Sequence, residues 1–309
     1  MVVDVKSCEC ESDGETTVKF YFTILLQELA TGTNTKMTTM MIFVELFLLA
    51  ALANALVVLP DGRRVHVIKN DVLLDAVGDF IVERVEQIAN KAIASKGAFS
   101  ISIGSGTTVK PLELLAGRGV DLSKVHVFFG NERTEGEAAG KCFNSGAGVF
   151  AALDLPDSNV HRVPELPSEE AAELYERTLR EMPRAVVDVC DATGLPSFDL
   201  CLLGSGADGH CASLYPDSAQ VVCSPGCSFA YLPAEGKGGI TVTIDMINSA
   251  RNVLISAAKA SQSDMCRKCL GWSNAATNHK LPVGMISTSN GAVVEWILSE
   301  QSAADLPAM

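Results

Sequence analysis

A glycine-rich loop that contains aspartate and histidine is the part of this sequence best suited to chemistry. It reads Gly204-Ser205-Gly206-Ala207-Asp208-Gly209-His210 and follows an apolar run typical of a buried strand. Histidine accepts a proton near neutral pH, and a carboxylate beside it can orient or polarise the ring. The glycines permit a tight turn that brings both side chains to one small cavity. We therefore predict that His210 and Asp208 act together, although a single histidine in a sequence is more often structural.

A second glycine-rich loop has the composition of an anion site. Gly104-Ser105-Gly106-Thr107-Thr108 combines two glycines with three hydroxyl side chains between a strand pattern and a helix pattern. Glycines let the backbone approach an anion closely, and a helix that follows adds unpaired N–H groups and a positive dipole end. Lys110 adds a charge. The loop matches neither the dinucleotide motif GxGxxG nor a nucleotide P-loop, and an ordinary strand-to-helix turn explains it equally well.

Arg133 follows the end of another strand pattern and is a candidate phosphate ligand. A guanidinium group presents a planar pair of donors to phosphate, a geometry that lysine cannot reproduce. A surface arginine paired with a carboxylate such as that of the adjacent Glu132 is the structural alternative. The other histidines lie in strand patterns or polar connections and are predicted to be structural: His66, His126, His161 and His279.

The elements that must position these loops are strands and helices in alternation. Apolar runs predict strands at 57–58, 65–68, 99–103, 125–129, 198–203, 240–244, 253–257 and 293–298. Three- and four-residue spacing predicts helices near 73–92, 109–115, 169–182 and 263–270. Such alternation indicates an α/β fold with a mainly parallel, doubly wound sheet and helices on both faces. Ligands in these sheets bind at the carboxyl ends of the strands, where the three polar loops lie.

The composition is that of a globular protein and argues against nucleic-acid binding. The 309 residues are 48% apolar and 20% charged, which excludes wholesale disorder, collagen-like repeats and a coiled coil. Lysine and arginine total 24 against 37 aspartates and glutamates, a net charge of −13. A chain this acidic has no electrostatic footprint for DNA or RNA. It can still bind a small anion, because local donors outweigh a distant charge screened beyond roughly 10 Å.

The ten cysteines are scattered through a chain too long to need disulfides. Cys266 and Cys269 form one CxxC, and Cys8 and Cys10 form a CxC. Zinc sites normally need four ligands at matched spacing. We predict mostly structural, reduced thiols in a reducing compartment, and no metal.

Residues 1–55 are interpreted as an N-terminal extension or leader, and 301–309 as a C-terminal tail. The stretch 40–59 is almost purely apolar but contains Glu45, which is costly at the centre of a membrane span. Ala53-Asn54-Ala55 resembles the small-residue end of a signal peptide, although a signal peptide should begin the chain. We predict a cytoplasmic location; if the stretch 40–59 is a targeting signal, the alternative is an organelle or the secretory route.

The segment 198–216, FDLCLLGSGADGHCASLYP, closely resembles the signature of the 6-phosphogluconolactonases. That family shares one sugar-phosphate fold with the glucosamine-6-phosphate isomerases/deaminases, and the ending ASLYP is similar to the lactonase branch. Similarity extends from about Leu56 to Ser299, and includes FFGNER at 128–133, SNVHRV at 158–163 and ITVT at 240–243.

The resemblance implies a Rossmann-like sugar-phosphate isomerase/lactonase fold over 56–300 and hydrolysis of 6-phosphoglucono-1,5-lactone in the pentose phosphate pathway. His210 would be the general base, and Asp208 would orient His210 or the substrate. It implies no metal or organic cofactor, and no partner besides the sugar-phosphate lactone. The residues expected to bind substrate or its phosphate are Gly104, Ser105, Gly106, Thr107, Thr108, Arg133, Gly206, Gly209 and Lys237. N–H groups of the glycine loop are expected to stabilise the oxyanion, a contribution of about 3 kcal/mol per donor.

Three positions depart from the usual family pattern. Ser105 replaces a glycine, Asn131 replaces an aspartate, and Gly239 stands where an arginine often precedes the Ile-Thr strand. These changes keep two alternatives open: an isomerase/deaminase on the same scaffold, and a non-catalytic sugar-phosphate-binding paralogue.

Overall fold

A mainly parallel sheet lies at the centre of the part of the chain that the structure describes. The computed structural model describes residues 55–69, 75–222, 227–233, 238–270, 280–287 and 290–306. Their twelve strands are β1 (Ala55–Val58), β2 (Arg64–Ile68), β3 (Phe99–Ile103), β4 (Val125–Phe129), β5 (Asn131–Arg133), β6 (Asp188–Val189), β7 (Pro196–Ser197), β8 (Leu200–Gly204), β9 (Phe229–Leu232), β10 (Gly239–Val242), β11 (Asn252–Ala257) and β12 (Val293–Ser299).

Seven of these strands form the main sheet, in the order β1-β2-β12-β11-β8-β3-β4. Only β1 and β2 are antiparallel neighbours, and the other pairs are parallel. The sheet therefore gathers the carboxyl ends of β11, β8, β3 and β4 at one edge. A second sheet, β5-β10-β9, is antiparallel, and β6 pairs with β7.

The α-helices of the described residues are α1 (Asp75–Lys96), α2 (Lys141–Ala152), α3 (Ser168–Glu181), α4 (Ile244–Asn248) and α5 (Ser263–Leu270). Helix α1 packs against β3 and β12, and α3 packs against β9 and β10.

Apolar runs form the central strands because both of their faces are covered. Every residue of β3 is buried, as are the first four residues of β8. Trp296 on β12 is the largest of the fully buried side chains. The predicted α/β fold with a mainly parallel sheet is confirmed.

Three local features differ from the expectations. The helix expected near 109–115 is a 3-10 helix of six residues, Lys110–Leu115. The strand expected at 240–244 belongs to the small antiparallel sheet, and Ile244 begins α4. Helix α2 was not predicted, because Gly146 and Gly148 weaken its helix signal. Gly146 is required by packing, since a Cβ there would overlap the ring of Phe150.

Part of each predicted terminal segment is packed on the domain. Ala55 is the first residue of β1, whereas residues 1–54, and with them most of the apolar stretch 40–59, lie outside the described residues. Ser302 is fully buried and Leu306 packs against the core, so 301–306 does not extend as a tail; 307–309 lie outside the described residues. No helix in the described ranges is long and apolar enough to cross a membrane.

Candidate active site

The carboxyl ends of β3, β4, β8 and β11 surround one cleft of about 1050 Å³. Seven of the predicted site residues line it: Gly104, Ser105, Gly106, Thr107, Thr108, Arg133 and His210. Three loops that are far apart in the sequence therefore meet, as expected for a parallel sheet. Asp208, Gly206 and Gly209 lie in the His210 loop but do not line the cleft.

The loop after β8 holds Asp208 and His210 as a hydrogen-bonded pair. Oδ1 of Asp208 lies 2.6 Å from Nδ1 of His210 and also accepts the His210 backbone N–H at 3.2 Å. Burial opposes ionisation of Asp208, but these bonds lower its pKa below the usual value. A carboxylate at Nδ1 favours the tautomer that carries its proton there, which leaves Nε2 as a proton acceptor. The geometry is that of a general base with its orienting carboxylate.

Gly206 and Gly209 shape this loop through their lack of side chains. A Cβ at Gly206 would overlap both Nδ1 of His210 and Oδ1 of Asp208. Gly209 has φ +84, in the left-handed region, and a Cβ there would lie 2.9 Å from Leu281.

The backbone N–H groups of both glycines are used inside the protein. Gly206 N–H donates to the carbonyl of His210 at 2.9 Å, and Gly209 N–H donates to that of Gly206 at 3.0 Å. The structure thus contradicts the expectation that these two N–H groups serve the substrate or its oxyanion. Their role here is to fold the loop.

Two further contacts fix the surroundings of His210. The ring of Tyr215 packs on the imidazole with centroids 4.7 Å apart. Asn131 Nδ2 donates to Ser213 Oγ at 3.0 Å and so links the start of β5 to the segment that follows His210. An aspartate at 131 would lack this donor when ionised.

The loop 104–108 offers hydroxyls rather than a helix dipole. Ser105 and Thr107 are exposed in the cleft, whereas Thr108 is buried and packs beside Gly204. We expected the N-terminus of a following helix to help bind an anion. That expectation was wrong, because the six-residue 3-10 helix there is too short to carry a substantial dipole.

Arg133 is held at the cleft by the carboxylate that precedes it. Glu132 is buried, and its side chain accepts the backbone N–H groups of Arg133, Cys142 and Phe143 at 2.7–2.8 Å. Two of these donors belong to the first turn of α2, which otherwise lacks partners for them. Glu132 therefore fixes the backbone of Arg133 and the start of α2 together.

Two lysines that the sequence analysis did not single out also line the cleft. Lys141 is the first residue of α2, and Lys259 follows β11. With Lys110 and Arg133 they make four cations, against two carboxylates among the lining residues, Asp79 and Glu113. The cleft thus carries local positive charge on a chain whose net charge is −13. The one feature of the sequence that could have indicated Lys259 as a cleft residue is its position just after a predicted strand.

Lys237 lies outside the described residues, so its predicted phosphate contact stays a prediction. Gly239 is described and pairs with Arg133 across the antiparallel sheet. A Cβ at Gly239 would overlap the carbonyl oxygen of Glu132. The backbone therefore admits no arginine at this position without rearrangement.

The buried cysteines have the character of structural thiols. Cys142 lines the cleft, but burial and the nearby Glu132 raise its pKa to about 12, which disfavours a thiolate nucleophile. Burial likewise raises the pKa values of four other thiols to about 12: Cys201, Cys211, Cys266 and Cys269. Across the described ranges, no cluster of three or more His, Cys, Asp or Glu side chains could hold a metal ion.

Comparisons with known proteins agree with this architecture. A family model described as "Glucosamine-6-phosphate isomerases/6-phosphogluconolactonase" matches residues 74–296. A Synechocystis protein named 6-phosphogluconolactonase is 31% identical over 221 residues, which cover 70% of this chain and 88% of that protein. A rice protein named "Probable 6-phosphogluconolactonase 3, chloroplastic" is 27% identical, with 74% of this chain and 73% of that protein covered.

Solved structures show the same fold. The 6-phosphogluconolactonase of Trypanosoma brucei superposes with a TM-score of 0.64 at 20% identity, covering 79% of this chain and 98% of that one. The 6-phosphogluconolactonase of Thermotoga maritima gives a TM-score of 0.59 at 23% identity, with 76% and 98% covered.

Proposed function

The chain belongs to the family of glucosamine-6-phosphate isomerases and 6-phosphogluconolactonases, and we propose that it hydrolyses 6-phospho-D-glucono-1,5-lactone to 6-phospho-D-gluconate. The reaction belongs to the oxidative pentose phosphate pathway. The observation that carries the proposal is the Asp208–His210 pair, whose imidazole lines a cleft rich in cations. Such a cleft suits a substrate that has an ester to hydrolyse and a distant anionic group.

In the proposed mechanism, Nε2 of His210 takes a proton from water as the water oxygen attacks the lactone carbonyl carbon. Asp208, held at Nδ1, stabilises the imidazolium that forms. The tetrahedral intermediate then collapses and breaks the bond between that carbon and the ring oxygen. The imidazolium returns its proton to the departing ring oxygen, which restores neutral His210 and leaves an open-chain acid. General acid–base catalysis of this kind contributes about 10²- to 10⁴-fold in rate.

The phosphate is assigned to the β3 and β4 side of the cleft. Thr107 supplies an exposed hydroxyl there, and Arg133 and Lys141 supply charge. Thr108 is less suited to bind the phosphate, because its side chain is buried against Gly204. Binding energy from this remote group would position the lactone for attack by water.

The isomerase/deaminase alternative is disfavoured by the cleft. Moving a proton between neighbouring carbons of a sugar calls for a base close to those carbons. Residue 131 contributes an amide committed to Ser213, and the lining carboxylates, Asp79 and Glu113, belong to α1 and the 110–115 helix rather than to the His210 side. A paralogue that only binds sugar phosphates would need the cations of the cleft but not the hydrogen-bonded Asp208–His210 pair, so the presence of this pair favours an enzyme.

The test is the rate of lactone loss with and without purified protein, since the lactone also hydrolyses spontaneously. We expect protein-dependent hydrolysis of the phosphorylated lactone and much slower hydrolysis of the unphosphorylated one. Saturable binding of 6-phosphogluconate without turnover would support the paralogue instead, and release of ammonia from glucosamine 6-phosphate would support the deaminase.

A cytoplasmic location is proposed for this chemistry, with an organelle as the alternative because the rice relative is named as chloroplastic. Microscopy of the full chain with a fluorescent protein at its C-terminus separates the two. A diffuse cytoplasmic signal is expected, and confinement to an organelle would overturn the proposal.

A further inference from the structure

A buried glutamine connects the loop of His210 to the neighbouring strand end. Gln262 ends the 3-10 turn that follows β11, is 4% exposed and lines the cleft. Its Nε2 donates to the carbonyl oxygen of Ser205 at 2.6 Å and to Ser205 Oγ at 3.2 Å. Its Oε1 accepts the backbone N–H of Lys259 at 2.7 Å. The amide is thus used at both ends, which is what a buried polar group requires.

Ser205 is the residue through which this contact reaches His210. It follows β8 directly and forms an isolated antiparallel bridge with Cys211 on the far side of the loop. The adjacent Gly206 N–H donates to the carbonyl of His210. The position of Ser205 therefore affects both the first and the last residues of the loop that carries Asp208 and His210.

A backbone hydrogen bond also ties Ser205 to the neighbouring strand. Its backbone N–H donates to Ser256 on β11 at 3.3 Å, which is long for such a bond. The Gln262 amide adds a shorter bond to the same residue from the same side.

We propose that Gln262 is a positioning residue for catalysis, which sets the place of His210 through Ser205; this inference rests on the proposed function. Gln262 does not touch the reacting atoms. Displacement of a catalytic group by about 1 Å can cost on the order of 10²-fold in rate, so the amide affects turnover by holding geometry.

The experiment compares Gln262→Leu with Asn159→Leu. Asn159 is a matched control, because it too is a buried amide that donates two hydrogen bonds, in its case to the backbone carbonyls of Ser123 and Val125. Ser123 lies in the 3-10 turn just before β4 and Val125 begins β4, so both carbonyls are at the end of that strand opposite to the cleft. Both variants lose a buried amide and are expected to lose similar thermal stability.

Of these two variants, Gln262→Leu alone is expected to lose kcat, by about ten-fold or more, with KM changed less than about three-fold. Gln262→Glu keeps an acceptor for Lys259 but loses the donors to Ser205, and is expected to lose kcat as well. Ser205→Ala removes only the longer bond and is expected to lose less. Equal kcat losses in Asn159→Leu and Gln262→Leu, or wild-type kcat in Gln262→Glu, would overturn the proposal.

A readout independent of turnover separates this inference from the proposed function. The NMR signals of the His210 ring, assigned by their loss in His210→Asn, are expected to shift in Gln262→Leu and to stay in place in Asn159→Leu. If the wild type hydrolyses no lactone, the proposed function fails while these signals still decide the role of Gln262. Unshifted signals in Gln262→Leu would reject it.

Discussion

Gly206 lies against His210 so closely that a Cβ atom at position 206 would overlap Nδ1 of the imidazole. The same atom would overlap Oδ1 of Asp208, so the hydrogen bond between the two side chains depends on a glycine beneath it. The loop therefore needs glycine here for the pair that it carries, and not only for its own turn.

Gly206→Ala is expected to reduce kcat/KM by about 10²-fold or more, because the methyl group displaces the imidazole. Steady-state hydrolysis of the phosphorylated lactone measures the loss. Gly148→Ala in α2 is the control, since a Cβ there meets nothing within 4 Å. That variant should keep full activity and gain slight stability from better helix propensity, up to about 1 kcal/mol. Normal activity in Gly206→Ala would mean that the pair is not arranged as described.

Asp208→Asn tests the carboxylate at Nδ1. An amide can no longer stabilise the imidazolium or hold one tautomer, and the corresponding change in other acid–base pairs costs up to about 10⁴-fold in kcat. We expect a loss of at least about 10²-fold in kcat with a small change in KM. Because the pKa of Asp208 is lowered, the wild-type carboxylate stays ionised throughout the neutral range, so its own titration should not shape the pH profile there. Turnover within two-fold of wild type would remove Asp208 from the mechanism.

The His210 loop was predictable from the sequence because its chemistry is local. Aspartate and histidine lie two positions apart and directly after an apolar strand, so no long-range contact is needed to bring them together. The fold class was also predictable, since the strands of a parallel sheet covered on both faces are continuous apolar runs such as 99–103 and 200–203.

The residues that the sequence analysis missed depend on which strands are neighbours. Lys259 and Gln262 reach the cleft because β11 lies beside β8, and Lys141 reaches it because α2 begins beside β5. Nothing in the spacing of the sequence gives that order. The use of the Gly206 and Gly209 N–H groups was also unpredictable, because it depends on how the loop closes on itself.

Arg133→Gln tests the phosphate assignment. Loss of the guanidinium should raise KM for the phosphorylated lactone by about ten-fold or more, with little effect on the unphosphorylated lactone. Arg180→Gln is the control, because Arg180 lies on α3, pairs with Glu176 and does not line the cleft. Equal losses of kcat/KM on both lactones would show that Arg133 does not recognise the phosphate.

The stacked pair His126 and His161 predicts a pH effect on stability rather than activity. The two rings share a hydrogen bond at 3.1 Å. Burial, followed by the charge of His126, lowers the pKa of His161 from 6.5 to about 4. Burial, followed by Lys96 and Lys124, also lowers the pKa of His126. Between pH 6.5 and about 4, His161 is therefore protonated in the unfolded chain but stays neutral in the folded chain. The free energy of unfolding therefore falls as the pH falls through this window.

His161→Phe should weaken this dependence, because phenylalanine does not titrate and can stack on Phe128 as His161 does. Melting temperatures measured from pH 6.5 down to about 4 should fall less steeply in the variant than in the wild type. The same slope in both proteins would show that His161 is protonated as easily when folded as when unfolded.

The most direct measurement compares hydrolysis of 6-phosphoglucono-1,5-lactone by the wild type and by His210→Ala, each after subtraction of the spontaneous rate. If His210 is the general base, the variant should lose about 10²- to 10⁴-fold in kcat while its melting temperature stays close to that of the wild type. Wild-type turnover in a folded His210→Ala protein would contradict this mechanism, because the proton transfer would then not require the imidazole of His210.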